Sequence, residues 1–76
     1  MIFEVEEWRS DEADGRRVWL NSYTINFIME QSLYNEALGI KFRGSCIGVG
    51  NDTVVRTKTP PETLVEKINA LMKQSA

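Results

Sequence analysis

Two periodicities divide this chain. Between residues 2 and 58 apolar side chains alternate with polar ones in short runs, the two-residue period of half-buried strands. Beyond residue 60 the spacing becomes helical. Leu64, Val65, Ile68, Leu71 and Met72 fall at i, i+1, i+4, i+7 and i+8 and form one apolar stripe, with Glu62, Glu66, Asn69 and Lys73 on the wet side. The switch comes at Thr59-Pro60-Pro61-Glu62. Thr59 suits an N-cap, and Pro60 suits the first helical position, where its missing N–H costs nothing. Glu62 at the third position completes a capping box. The spacing predicts a helix over about 60–73, with Lys73 near the C-terminal end, where a cation is favoured.

The alternating part resolves into strands. Phe3 and Val5 against Glu4, Glu6 and Trp8 predict a first strand within residues 2–9. Ser10 to Gly15 is a polar turn ending in Asp-Gly, and Arg16 to Asn21 is the return strand with Val18 and Leu20 inward. Pairing Ser10 with Gly15 sets Val5 opposite Leu20 and Trp8 opposite Arg17; a slip of one residue would destroy the agreement of the apolar faces. A third strand is expected over Tyr23–Glu30, a loop over Gln31–Ala37, and a fourth strand over Leu38–Arg43. A turn at Gly44-Ser45, a short strand Cys46–Val49, a tight turn at Gly50-Asn51-Asp52 and a last strand Thr53–Lys58 follow. The expected fold is α+β: a five- to six-stranded twisted antiparallel sheet, a β-meander, with one C-terminal helix packed on one face, all in a single domain over residues 1–76. Its expected core is Phe3, Val5, Val18, Leu20, Ile25, Phe27, Leu38, Ile40, Phe42, Ile47, Val49, Leu64, Ile68 and Leu71. One helix cannot cover so wide a sheet, so apolar surface is left for a partner unless the sheet curls.

Composition narrows the class. With 76 residues, 42% hydrophobic and 26% charged, the chain is globular, with a thin core. No apolar run approaches the roughly 20 residues that span a bilayer, so no membrane partner is expected. Met1–Glu7 has no basic stretch leading into an apolar one, and a single cysteine, Cys46, excludes an internal disulfide framework. A cytoplasmic protein of bacterial or phage origin is the expectation. The net charge of −2 hides an asymmetry: residues 1–15 hold six acids against Arg9, whereas residues 16–76 hold eight Lys and Arg against five acids.

Catalytic chemistry finds little support. There is no histidine, which removes Ser-His and Cys-His pairs, imidazole acid–base catalysis and most zinc sites. Gly44-Ser45-Cys46-Ile47-Gly48 fits Gly-x-nucleophile-x-Gly, but a strand rather than a helix follows it, and it reads as a small buried cysteine in a glycine-bent strand. The glycines do not make a phosphate loop. Asp11-Glu12-Ala13-Asp14-Gly15 lacks the ligand spacing of a calcium loop and reads as a solvated turn. No catalytic, cofactor-binding or metal-binding residue is expected, and an enzyme ranks last among the readings.

Two surfaces remain as candidates. Trp8, Trp19, Ile28 and Tyr34 are expected outside the core, and Trp and Tyr are residues that anchor interfaces. They point to a protein interface, with a homodimer or another protein as partner. Arg17, Trp19, Lys41, Arg43, Arg56 and Lys58 are expected on the outward face, where cations interleaved with an aromatic resemble platforms for single-stranded nucleic acid. This is the alternative reading, set against the acidity of the whole chain.

The run Gly15-Arg16-Arg17-Val18-Trp19-Leu20-Asn21, then Ile25, Ile28 and Glu30, then Val54-Val55-Arg56-Thr57-Lys58 and Glu62 with Val65-Glu66-Lys67-Ile68, resembles the small FlbD-type flagellar and swarming-motility proteins and similar short phage proteins. The resemblance covers residues 15–31 and 53–70. It implies a small non-enzymatic adaptor and carries over no catalytic residue.

Overall fold

The computed structural model describes residues 1–12 and 14–74; Ala13 in the polar turn, and Ser75 and Ala76 after the helix, lie outside the described residues. Five strands and one helix follow in order: β1 (Ile2–Glu7), β2 (Arg16–Asn21), a short 3₁₀ turn (Ser22–Thr24), β3 (Ile25–Asn35), β4 (Ile40–Val49), β5 (Thr53–Thr57) and α1 (Pro61–Gln74). The α+β class is as expected, but the single sheet is not. β1 and β2 form one antiparallel sheet, and β3, β4 and β5 another, in that order. The reason lies at Asn21. Its side chain accepts from the Tyr23 N–H at 3.0 Å, and its carbonyl accepts from the Thr24 hydroxyl at 2.8 Å. The capped 3₁₀ turn redirects the chain, so β3 leaves the first sheet instead of extending it. The sheets meet where β1 runs past β5, with the Trp8 N–H donating to the Arg56 carbonyl at 2.6 Å.

The first hairpin pairs Val5 with Val18 and Phe3 with Leu20, two residues away from the expected register. Because side chains alternate with period two, a shift of two leaves every residue on its expected face. Phe3, Val5 and Leu20 are buried, and Val18 packs against them.

The second sheet departs further. β3 continues through residues 31–35, where a loop was expected, and β4 runs unbroken through Gly44-Ser45, where a turn was expected. Gly44 does not turn the chain; it lets strands approach. A Cβ there would lie 2.8 Å from Leu33 Cδ1 and 3.3 Å from Lys58 Cα. The tight turn at Gly50 forms as expected, with φ of 64°, a conformation that glycine adopts without steric cost.

A β-bulge at Asn26 reassigns one face. Ile25 pairs with Val49 and Phe27 with Gly48, so the two fall on opposite sides of the sheet instead of sharing one. Ile28, opposite Ile47, packs against the core, while Phe27 turns outward and is exposed. Leu38 and Ile40 are also exposed, the first in the turn joining β3 to β4, the second on the outer face. Leu33 and Val55 are buried without having been expected there.

The helix packs on the inner face through Leu64, which is 1% exposed, with Ile68 and Leu71 partly buried. Val65 and Met72, on the same apolar stripe, remain exposed. The helix begins at Pro61, with the Pro60 carbonyl accepting from Thr63 and Leu64 N–H groups, so Pro60 is the cap. No reciprocal Thr59–Glu62 box forms. Thr59 is held by strand residues instead: its carbonyl accepts from the Ser45 hydroxyl at 2.7 Å, and its N–H donates to the Thr57 hydroxyl at 3.4 Å. Among the described residues no helix is long and apolar enough to cross a membrane.

Candidate functional site

The strand registers decide which side chains share a surface. On the β3–β4–β5 sheet, residues facing outward from the core run Phe27, Met29 and Gln31 on β3, Cys46 and Gly48 on β4, and Val54 and Arg56 on β5. Phe27, Met29 and Val54 are exposed apolar side chains, grouped around Gly48. Gly48 supplies the floor of this patch. A Cβ there would meet the Phe27 ring, with Cδ1 at 2.6 Å, so the ring packs against bare backbone. Beside the patch, between β5 and the loop after β1, opens a cleft of about 440 Å³ lined by Glu7, Trp8, Arg9, Ser10, Asp11, Val54 and Arg56. Trp8 is half-buried in its wall, and its indole Nε1 is buried without a hydrogen-bond partner among the described residues.

The loop bounding that cleft is fixed by Asn35, a fully buried side chain in a segment expected to be loop. Its amide donates to the Arg9 carbonyl at 3.1 Å and the Glu12 carbonyl at 2.7 Å, and its Oδ1 accepts from the Leu38 N–H at 2.9 Å. The Glu36 N–H donates to the Ser10 carbonyl at 2.7 Å. The distal end of the β3–β4 hairpin therefore holds the β1–β2 connection in place.

The four expected interface residues do not converge. Trp19 is 59% exposed on the outer side of the β1–β2 hairpin, opposite Glu4 and with the Arg17 guanidinium 5.9 Å from its ring centre. Tyr34 is exposed on β3, opposite Lys41, on the helix side of its sheet. Ile28 is in the core side, and only Trp8 adjoins the apolar patch.

The six residues expected to form a basic platform divide over three surfaces. Arg17 and Trp19 lie on the outside of the first hairpin. Lys41 and Arg43 share the parity of Ile47 on unbroken β4, so they face the helix side. Arg56, opposite Cys46, faces the other way, and Lys58 lies over the Phe42 ring at 4.7 Å. The expected turn at Gly44-Ser45 would have reset the parity of Lys41 and Arg43; the continuous strand does not.

Arg43 is engaged within the chain. Its Nη1 and Nη2 donate to the two Glu62 carboxylate oxygens at 2.6 and 3.0 Å, and its Nε donates to Glu30. The hydrogen bonds to Glu62, then to Glu30, raise the guanidinium pKa, and the Arg43 bond lowers that of Glu62. All three side chains are more than half exposed, so solvent screens the pairing. Arg17 lies 3.9 Å from Glu4.

Cys46 is a buried free thiol between two glycines of a central strand, as its setting in the sequence indicated. Among the described residues no cluster of three or more His, Cys, Asp or Glu side chains has the arrangement to hold a metal ion. Comparison with family models, curated proteins and solved structures gives no match to this chain.

The Phe27–Met29–Val54 patch was hidden by the bulge. Phe27-Ile28-Met29 and Val54-Val55 did carry a signal, because consecutive apolar residues on a strand must place at least one on each face.

Proposed function

We propose that this protein is a non-catalytic protein-binding module, and that its binding surface is the outer face of the β3–β4–β5 sheet with the Trp8 cleft at its margin. The observation that carries this reading is the grouping of Phe27, Met29 and Val54, exposed around Gly48 beside a half-buried tryptophan. Contiguous apolar surface with an aromatic anchor and a polar rim has the make-up of a protein interface. Glu7, Arg9, Asp11 and Arg56 supply charges of both signs at the rim. The dispersal of the basic residues over three surfaces favours this reading over nucleic acid, which needs its cations along one track.

The test is site-specific photo-crosslinking in cells, with a photoreactive phenylalanine analogue at position 27 or 54 and a control at the exposed helix position 66. Discrete protein adducts from 27 and 54, absent at 66, support the module. No adduct above the control, or nucleic-acid adducts alone, overturns it.

A further inference from the structure

The two sheets end in edges of different character. β2 is six residues long and carries Arg16 and Arg17, both exposed. Charged side chains on a short edge strand oppose pairing with another chain. β3 is eleven residues long, Ile25-Asn-Phe-Ile-Met-Glu-Gln-Ser-Leu-Tyr-Asn35, and pairs with β4 on one side only. It contains no proline and no basic residue, and its single charge, Glu30, pairs with Arg43, which also binds Glu62. Its bulge lies at one end, at Asn26, and leaves Ile28 to Asn35 in regular register. Six of its residues are exposed, Phe27 and Met29 among them. An edge of this length extends roughly 37 Å and offers a row of unpaired backbone N–H and C=O groups.

Resting on the protein-binding reading above, we propose that β3 pairs antiparallel with β3 of a second copy, joining two three-stranded sheets into one of six strands. The occupant is a second copy because an antiparallel strand edge is complementary to itself under a two-fold axis. With one charge in eleven residues, the strand meets little repulsion from its twin. The pairing also sets the two Phe27–Met29 patches on the same side of one continuous sheet, doubling the apolar face. A single strand pair buries an area at the low end for specific interfaces, below about 1,200 Å² in total, the size class of weak and transient contacts.

Sedimentation equilibrium from about 5 to about 500 micromolar tests the pairing, together with amide hydrogen exchange at both ends of that range. The expected result is a monomer–dimer equilibrium in which alternate β3 amides, unprotected when dilute, gain protection on concentration. Met29→Lys, at a position already half exposed, is expected to weaken the dimer at least tenfold while leaving the circular dichroism unchanged. Ser32→Lys serves as a second edge variant should Met29→Lys fold poorly. A chain that stays monomeric throughout, or a dimer whose alternate β3 amides stay unprotected, overturns the pairing. A monomer that still gives heterologous adducts from position 54 leaves the protein-binding module standing. A β3-paired dimer without heterologous adducts leaves the self-pairing standing alone.

Discussion

Leu64 and Val65 are neighbours on one apolar helical stripe, yet their burial predicts opposite responses to truncation. Leu64 is 1% exposed, in the cluster formed with Phe3, Val5, Leu20, Ile47 and Val55, where both sheets meet the helix. Val65 is 45% exposed. Leu64→Ala removes the apolar contact and leaves a cavity that surrounding strands close only in part, a loss of about 2–5 kcal/mol. A chain of 76 residues has a total stability of about 4–11 kcal/mol. The substitution therefore removes near half of it, a fall in Tm of about 8–40 °C. Val65→Ala loses little burial and gains helix propensity, so its effect stays within about 0.5 kcal/mol. Urea titration followed by far-ultraviolet circular dichroism measures both. Equal losses at the two positions, or a larger one at Val65, would show that the helix presents a different face to the sheets and would overturn the assignment of inner and outer surfaces.

Asn35→Ala removes three hydrogen bonds to part-buried backbone groups, and at about 0.5–1.5 kcal/mol for each it is expected to lose about 1.5–4.5 kcal/mol in the same titration. Asn35→Asp keeps the acceptor for Leu38 but sets a carboxylate against two carbonyls, and is expected to be no better. Gly44→Ala forces a methyl group against Thr57 backbone and Leu33, at a cost of about 1–3 kcal/mol, whereas Gly48→Ala displaces a ring free to swing into solvent and costs less. A Gly48→Ala variant as unstable as Gly44→Ala would refute that distinction. Glu62 has a folded pKa below its unfolded value, so its contribution is present above the ordinary glutamate range and is lost as the pH falls through the folded value. The stability difference between the wild type and Glu62→Gln is accordingly expected to be larger near pH 7 than near pH 3, and to shrink with added salt; a difference that grows toward acid contradicts the pairing with Arg43.

The sequence by itself determined what depends on local chemistry: the alternation that makes strands, the tight turn at Gly50, the helical spacing after the proline pair, and the absence of histidine. It also determined the face of each residue in the first hairpin, because the register error there was two residues and the side-chain period is two. What it left open were features set by contacts between distant residues. The bulge at Asn26 depends on how β3 meets β4, and its one extra residue exchanged the roles of Phe27 and Ile28. Gly44 reads equally well as a turn or as a place of close approach, and only Thr57 and Leu33, brought against it by folding, decide for the strand. That decision set the parity of Lys41 and Arg43 and so divided a basic face that the sequence had drawn as one. Glu62, placed for a capping box, was taken instead by Arg43, a partner 19 residues away in the chain. The outer patch of Phe27, Met29 and Val54 exists only in the folded sheet, where strand pairing carries each of these side chains to the side away from the helix.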